Sequence, residues 1–146
     1  MKTIKFTIKG NQENPQGNPI PYFRTTQAGQ FNKGAKRYHA WKDYVRAHYL
    51  DALGEIKHID RADFGEAHDL LQKKPIAKQA GKIHMRLCIT WANKAHADSD
   101  NIFKGIADAL FMDDKYLSGE FDYHYGDQAQ VAVTITFYEL GKSKTK

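Results

Sequence analysis

Asp98, Asp100 and Lys104 fall close together in DSDNIFKGIADALFMDD, a stretch holding five of the chain's 17 acidic residues. The chain as a whole carries a net charge of +5, so a concentration of carboxylates needs a cause. Two causes fit the local pattern. In the first, Asp98 or Ser99 caps a helix, the acids offset the positive end of its dipole, and Asp100, Lys104 and Asp108 line up every four residues as a surface ladder. Each pair of such a ladder contributes about 0.2–0.5 kcal/mol. In the second, Asp98 and Asp100 flank the junction between a loop and a helix, where residues two apart can both face one ion. Magnesium takes oxygen ligands, is commonly held by one or two carboxylates, and shares phosphate oxygens with its substrate. Lys104, one turn along, would then stabilise charge on a phosphate or orient an attacking water. On spacing alone the two readings stand level.

Other chemistries fail on spacing. An EF-hand loop begins D-x-D, but its third ligand position here is Ile102, and no Gly or closing Glu follows in place. His84, His96 and His124 are scattered and make no zinc pattern. There is neither a GxxxxGK[ST] loop nor a GxSxG elbow. Cys88, the single cysteine, sits in mid-strand with nothing to activate it and reads as inert.

The elements that must position these residues are legible from periodicity. Ile4, Phe6 and Ile8 alternate as a strand, and residues 10–34, rich in Pro, Gly, Asn and Gln, read as a long ordered loop. From Lys36 to about Leu53 the spacing is helical, with Tyr38, Trp41, Val45 and Tyr49 as the apolar stripe; Tyr38 and Trp41 are core residues on that pattern. Residues 54–81 suggest a short helix ended by Pro75. KIHMRLCITW is the clearest strand, with Ile83, Met85, Leu87, Ile89 and Trp91 on one face and Trp91 packed at its end. The acidic stretch follows as a second helix with Ile102, Phe103, Ile106 and Leu110 inward. Phe121, Tyr123 and Tyr125 then alternate, Gly126-Asp127 marks a turn, and Val131 to Phe137 alternate again, which predicts a β-hairpin. The sum is an α+β fold in β-α-β-α-β-β order, a four-stranded sheet covered on one face by two main helices. One domain over 1–141 is expected, with 142–146 a frayed basic tail.

Composition narrows the setting. The 41% hydrophobic and 27% charged residues describe an ordinary globular chain. The start MKTIKFTIKG lacks the apolar run of a signal peptide, no eighteen apolar residues run together, and one cysteine excludes an internal disulfide; a cytoplasmic protein with no membrane contact is expected. Excess positive charge favours a polyanionic partner, nucleic acid first. Arg24, Lys33, Lys36, Arg37, Lys42, Arg46, Arg86 and Lys94 are the candidate phosphate contacts, which act additively through counterion release.

At D-S-D-N-I-F-K-G-I-A-D-A-L followed by D-D-K-Y, the chain resembles the RusA family of Holliday-junction resolvases. Asp98, Asp100, Asn101, Lys104, Asp108 and Leu110 fill the family's D-x-D-N-x-x-K-x-x-x-D-x-L signature without a gap, and Asp113 and Asp114 match its later acid pair. The resemblance implies a homodimeric, magnesium-dependent endonuclease, manganese serving in place of magnesium, that nicks two symmetric strands of a branched, four-way DNA junction. It also implies Asp98, Asp100 and Asp114 as metal ligands and Lys104 as the catalytic lysine, on the base side or facing the phosphate. A magnesium nuclease for other branched DNA and an inactive junction-binding protein are the alternatives. Here only Phe111 and Met112 separate D-x-L from the acid pair, where family members often have a longer connection. A helix from Asp100 to Phe111 would carry its end roughly 18 Å from its start. Asp114 then completes the site only if the helix ends early, if the site lies nearer Lys104, or not at all.

Overall fold

In the computed structural model the described residues are 2–24, 33–54, 81–111 and 117–139. They form β1 (Lys2–Lys9), α1 (Lys33–Ala52), β2 (Gly81–Trp91), α2 (Ser99–Leu110), β3 (Leu117–Tyr125) and β4 (Gln130–Glu139). The expected order and the α+β class hold, and α1 begins one turn earlier than its apolar stripe indicates. The expected helix within 54–81, the tail 142–146, and both Asp113 and Asp114 lie outside the described residues.

The four strands form one sheet in the order β1-β4-β2-β3. β4 runs antiparallel to both β1 and β2, whereas β3 runs parallel to β2. Paired residues share a face, so rows of apolar side chains cross the sheet: Ile4–Ile135–Met85, Phe6–Val133–Leu87 and Ile8–Val131–Ile89. On this face lie the buried stripe of α1 (Tyr38, Trp41, Val45, Tyr49) and that of α2 (Ile102, Ile106, Leu110), all within one hydrophobic cluster. Trp41 and Trp91 are fully buried, which settles both as core. The opposite face is polar, with His84, Arg86, Cys88 and Thr90 of β2 beside Ser118, Glu120, Asp122 and His124 of β3.

The predicted hairpin does not form. β3 and β4 are antiparallel, but β2 lies between them. The four residues 126–129 suffice to step across it: they can span about 13 Å, and two strand spacings require about 9.6 Å. Gly126 donates its N–H to the Trp91 carbonyl at 3.0 Å, fastening the step over the end of β2. The turn residues were legible; the strand filling the gap is brought there by α2, because parallel pairing demands a crossover.

Among the described residues β3 is an edge strand, and α2 meets it through Phe103, whose ring lies against Gly119 and 6.1 Å from that of Phe121. A side chain at Gly119 would run into the Phe103 ring, so the glycine is the slot that lets the helix seat on the strand. Gly119→Val is therefore expected to destabilise the fold by about 1–3 kcal/mol through overpacking, read as a lowered denaturation midpoint at unchanged m-value.

Candidate metal and nucleic-acid site

The site is built where β2 stops. Residues 92–98 leave the strand, and α2 starts at Ser99 with Asp98 in the N-cap position, extended at φ −71, ψ 142. The backbone carbonyl of Asp98 accepts from Asn101 and Ile102, at 3.1 and 3.3 Å. Its side chain makes no capping hydrogen bond, although Asp is among the preferred capping residues. Asp98 and Asp100 are both exposed, and neither carboxylate has a hydrogen bond or ion pair among the described residues.

The ladder of the first reading is also missing. Asp108 turns to α1 instead: the Tyr38 hydroxyl donates to its Oδ2 at 2.7 Å and the Lys42 ammonium at 3.3 Å. Burial, then the hydrogen bond to Asp108 and its charge, push the Tyr38 phenol far above its ordinary value, so it remains a donor. Lys104 sits over the Tyr22 ring, 4.8 Å from its centroid, with no ion pair to a carboxylate among the described residues. Of the aligned residues, Asp108 is thus part of the α1–α2 contact, while Asp100 and Lys104 have no ion-pair partner among the described residues.

Two oxygen-donor side chains, exposed and unpaired at one helix start, fit magnesium, which needs few protein ligands and fills the rest with water and phosphate. Among the described residues no three carboxylate, imidazole or thiol groups gather into a metal-holding cluster. α2 does not end early: its twelve residues extend about 18 Å. Phe111 at its far end and Leu117 opposite Ile83 are the described residues that flank Asp113 and Asp114.

The loop after β1 forms the neighbouring wall. Gly10, at φ +59, turns the chain where any side chain would strike the backbone of Asn14 and Pro15. Asn11, buried, accepts from the N–H groups of Glu13 and Asn14 through Oδ1 and donates to the Asn18 carbonyl at 2.8 Å. Asn18 in turn accepts from Ala92 N–H at 2.9 Å, tying the loop to the end of β2. Further on, Tyr22 N–H donates to the Asn101 carbonyl at 3.0 Å. Between this loop and residues 94–97 opens a cleft of about 630 Å³, lined by Asn14, Pro19, Arg37, Lys94, His96 and Ala97 among others. It lies one residue from Asp98. Periodicity gave no sign of this cleft; the signals in retrospect are the asparagines of NQENPQGN, whose side chains close local turns.

The candidate phosphate contacts separate into groups. Arg37 and Lys94 line the cleft, with Arg37 bridged to Glu13 at 2.9 Å. Arg24, Lys33 and Lys36 are exposed. Lys42 is held by Asp108, and Arg46 donates to the Ala109 carbonyl and to Asp43, both at 2.8 Å, satisfying the C-terminal turn of α2. Arg86 is on the far face of the sheet, bridging Glu120 and Asp122 at 2.8 and 3.1 Å. Glu120 is held below the ordinary carboxylate range, first by the His84 hydrogen bond and then by Arg86. On the same face, burial and then a hydrogen bond to Asp122 push the Cys88 thiol up, away from the reactive thiolate.

Among the described residues no helix is long and apolar enough to cross a membrane. No family model matches the chain, and no curated protein does.

Proposed function

We propose that this chain is a magnesium-dependent, structure-specific DNA endonuclease that resolves four-way junctions by paired symmetric nicks. One observation carries the reading. Among the described residues the carboxylates of Asp98 and Asp100, at the start of α2, and the ammonium of Lys104, one turn on from Asp100, have no ion pair, and Asp98 makes no side-chain capping bond. Two carboxylates left free of protein partners, with a lysine one turn along the same helix, are available to a ligand.

Asp98 and Asp100 would hold the ion at the start of α2, Asp98 following Ala97 of the cleft lining in the chain. Magnesium bound there supplies Lewis-acid polarisation of the phosphate and a more acidic water. Lys104 sets an ammonium beside the scissile group, where negative charge develops on the phosphate oxygens. Its contact with the Tyr22 ring holds the side chain in place without cancelling the charge, since a ring quadrupole attracts a cation but carries no net charge. Arg37, Lys94 and the exposed Arg24, Lys33 and Lys36 would draw the DNA backbone to the site. Paired nicks require two sites related by a two-fold axis, hence a homodimer.

The test incubates the purified chain with labelled four-way junction, flap and linear duplex, with magnesium or with EDTA. Symmetric nicks confined to the junction, dependent on magnesium, are the expected result. Equal cutting of linear duplex would remove the junction-specific part of the reading, and magnesium-independent or absent cutting would remove the nuclease.

A further inference from the structure

The aromatic side chains of β3 lie outside every role described so far. Phe121, Tyr123 and Tyr125 alternate on the helix-covered face of the sheet, opposite Leu87, Ile89 and Trp91. Their β2 partners are fully buried, yet these three are 42, 55 and 48% exposed, although the Phe103 ring of α2 lies 6.1 Å from that of Phe121. Three large aromatic rings in a row on an edge strand, left open to solvent, are a cost to a free protein and an asset to one that binds flat apolar groups.

The row is continuous with the cleft. His96 lines the cleft, stacks on Trp91 with ring centroids 4.1 Å apart at 10°, and lies 5.6 Å from the Tyr125 ring and 6.2 Å from the Tyr123 ring. Its Nδ1 donates to the Ala97 carbonyl at 2.7 Å, and its Nε2 shares a hydrogen bond with the Tyr125 hydroxyl at 2.9 Å. A ligand leaving the cleft past His96 therefore meets Tyr125, then Tyr123, then Phe121.

We infer that this row is a stacking platform for unpaired nucleotides of the DNA strand running through the cleft. The inference rests on the nuclease reading for its ligand, and three features favour a nucleic acid as occupant. The Tyr123 and Tyr125 rings are 6.2 Å apart, nearly twice the ~3.4 Å rise per nucleotide of a stacked strand. That spacing suits an extended strand with its bases splayed. The two rings also meet at 84°, so each offers a separate surface to a base. Finally, the carboxylates of β3, Glu120 and Asp122, point to the opposite face and are engaged by Arg86 there. The strand thus shows a polyanion its rings, with Lys94 and Arg37 upstream in the cleft. Base–aromatic stacking is tolerant of sequence, as a structure-specific enzyme needs.

The test measures binding of a fluorescein-labelled oligothymidylate in EDTA, where nothing is cut, alongside sedimentation velocity of each variant. Tyr123→Leu is expected to weaken binding about tenfold, Tyr123→Trp to keep or improve it, and neither to change the sedimentation coefficient. Unchanged affinity in Tyr123→Leu, or no binding by the unmodified chain, would overturn the platform. So would a fall from dimer to monomer in Tyr123→Leu, which would give the row to a second copy pairing along the β3 edge. Oligothymidylate binding that depends on Tyr123 in a chain that cuts no junction would refute only the nuclease; junction cutting with Tyr123-independent binding would refute only the platform.

Discussion

Asp100→Asn is expected to abolish magnesium-dependent nicking of a four-way junction while junction binding in EDTA persists or tightens. The substitution keeps the volume and removes one negative charge. If Asp100 is one of two carboxylates on the ion, its loss deprives the site of several kcal/mol of charge stabilisation, and turnover falls by about three orders of magnitude. Stability should hardly move, since the side chain is exposed and has no partner among the described residues to lose. Only the dipole contribution of an acid in the first turn is forfeited, about 0.3–1 kcal/mol. Junction affinity should not suffer, because removing negative charge beside a phosphate lowers repulsion. Thermal denaturation and gel-resolved cleavage read the two quantities separately. Full cleavage by the variant would sink the metal reading; a large loss of stability would return Asp100 to a structural role.

Lys104→Ala is expected to lower turnover about a hundredfold with little unfolding. The lysine's single described contact, above the Tyr22 ring, is worth about 0.5–1 kcal/mol at an exposed position. Asp108 provides the contrast within the same helix. It receives the Tyr38 hydroxyl and the Lys42 ammonium, so Asp108→Ala should lose stability, by about 1–2 kcal/mol, and leave the cleavage rate near that of the unmodified chain. If instead Lys104→Ala unfolds the chain and Asp108→Ala silences it, the roles assigned along this helix are exchanged.

Residue type and spacing were enough to put Asp98, Asp100 and Lys104 forward as candidates, though not to choose between caps and a metal site, because their relation is local: two positions apart and one helical turn. The same logic placed Asp108 in a ladder with Lys104, and there it failed. The partners that Asp108 takes are 70 and 66 residues away in Tyr38 and Lys42, and no local pattern encodes a contact between two helices. The sheet divides along the same line. Each strand was legible from its period of two, but alternation overstated burial in β3, whose apolar side chains Phe121, Tyr123 and Tyr125 are exposed. Which strands are neighbours was not, and the turn at Gly126-Asp127, local and well formed, pointed to a pairing that β2 preempts.

The position of β4 has a consequence for how the chain acquires its site. Among the described residues β1 has no strand neighbour except β4, so Lys2 pairs with Phe137 and Lys9 with Gln130. Gly10, whose turn starts the cleft wall, donates its N–H to the Ala129 carbonyl at 2.8 Å. During synthesis the first strand must therefore wait for more than a hundred residues to emerge before it has a place in the sheet. Contacts so remote in sequence close late, after the β2–α2–β3 unit has had its chance to form. The start of α2 is thus available well before the wall that faces it. A nascent chain would carry its acids without its cleft until β4 had emerged to receive β1.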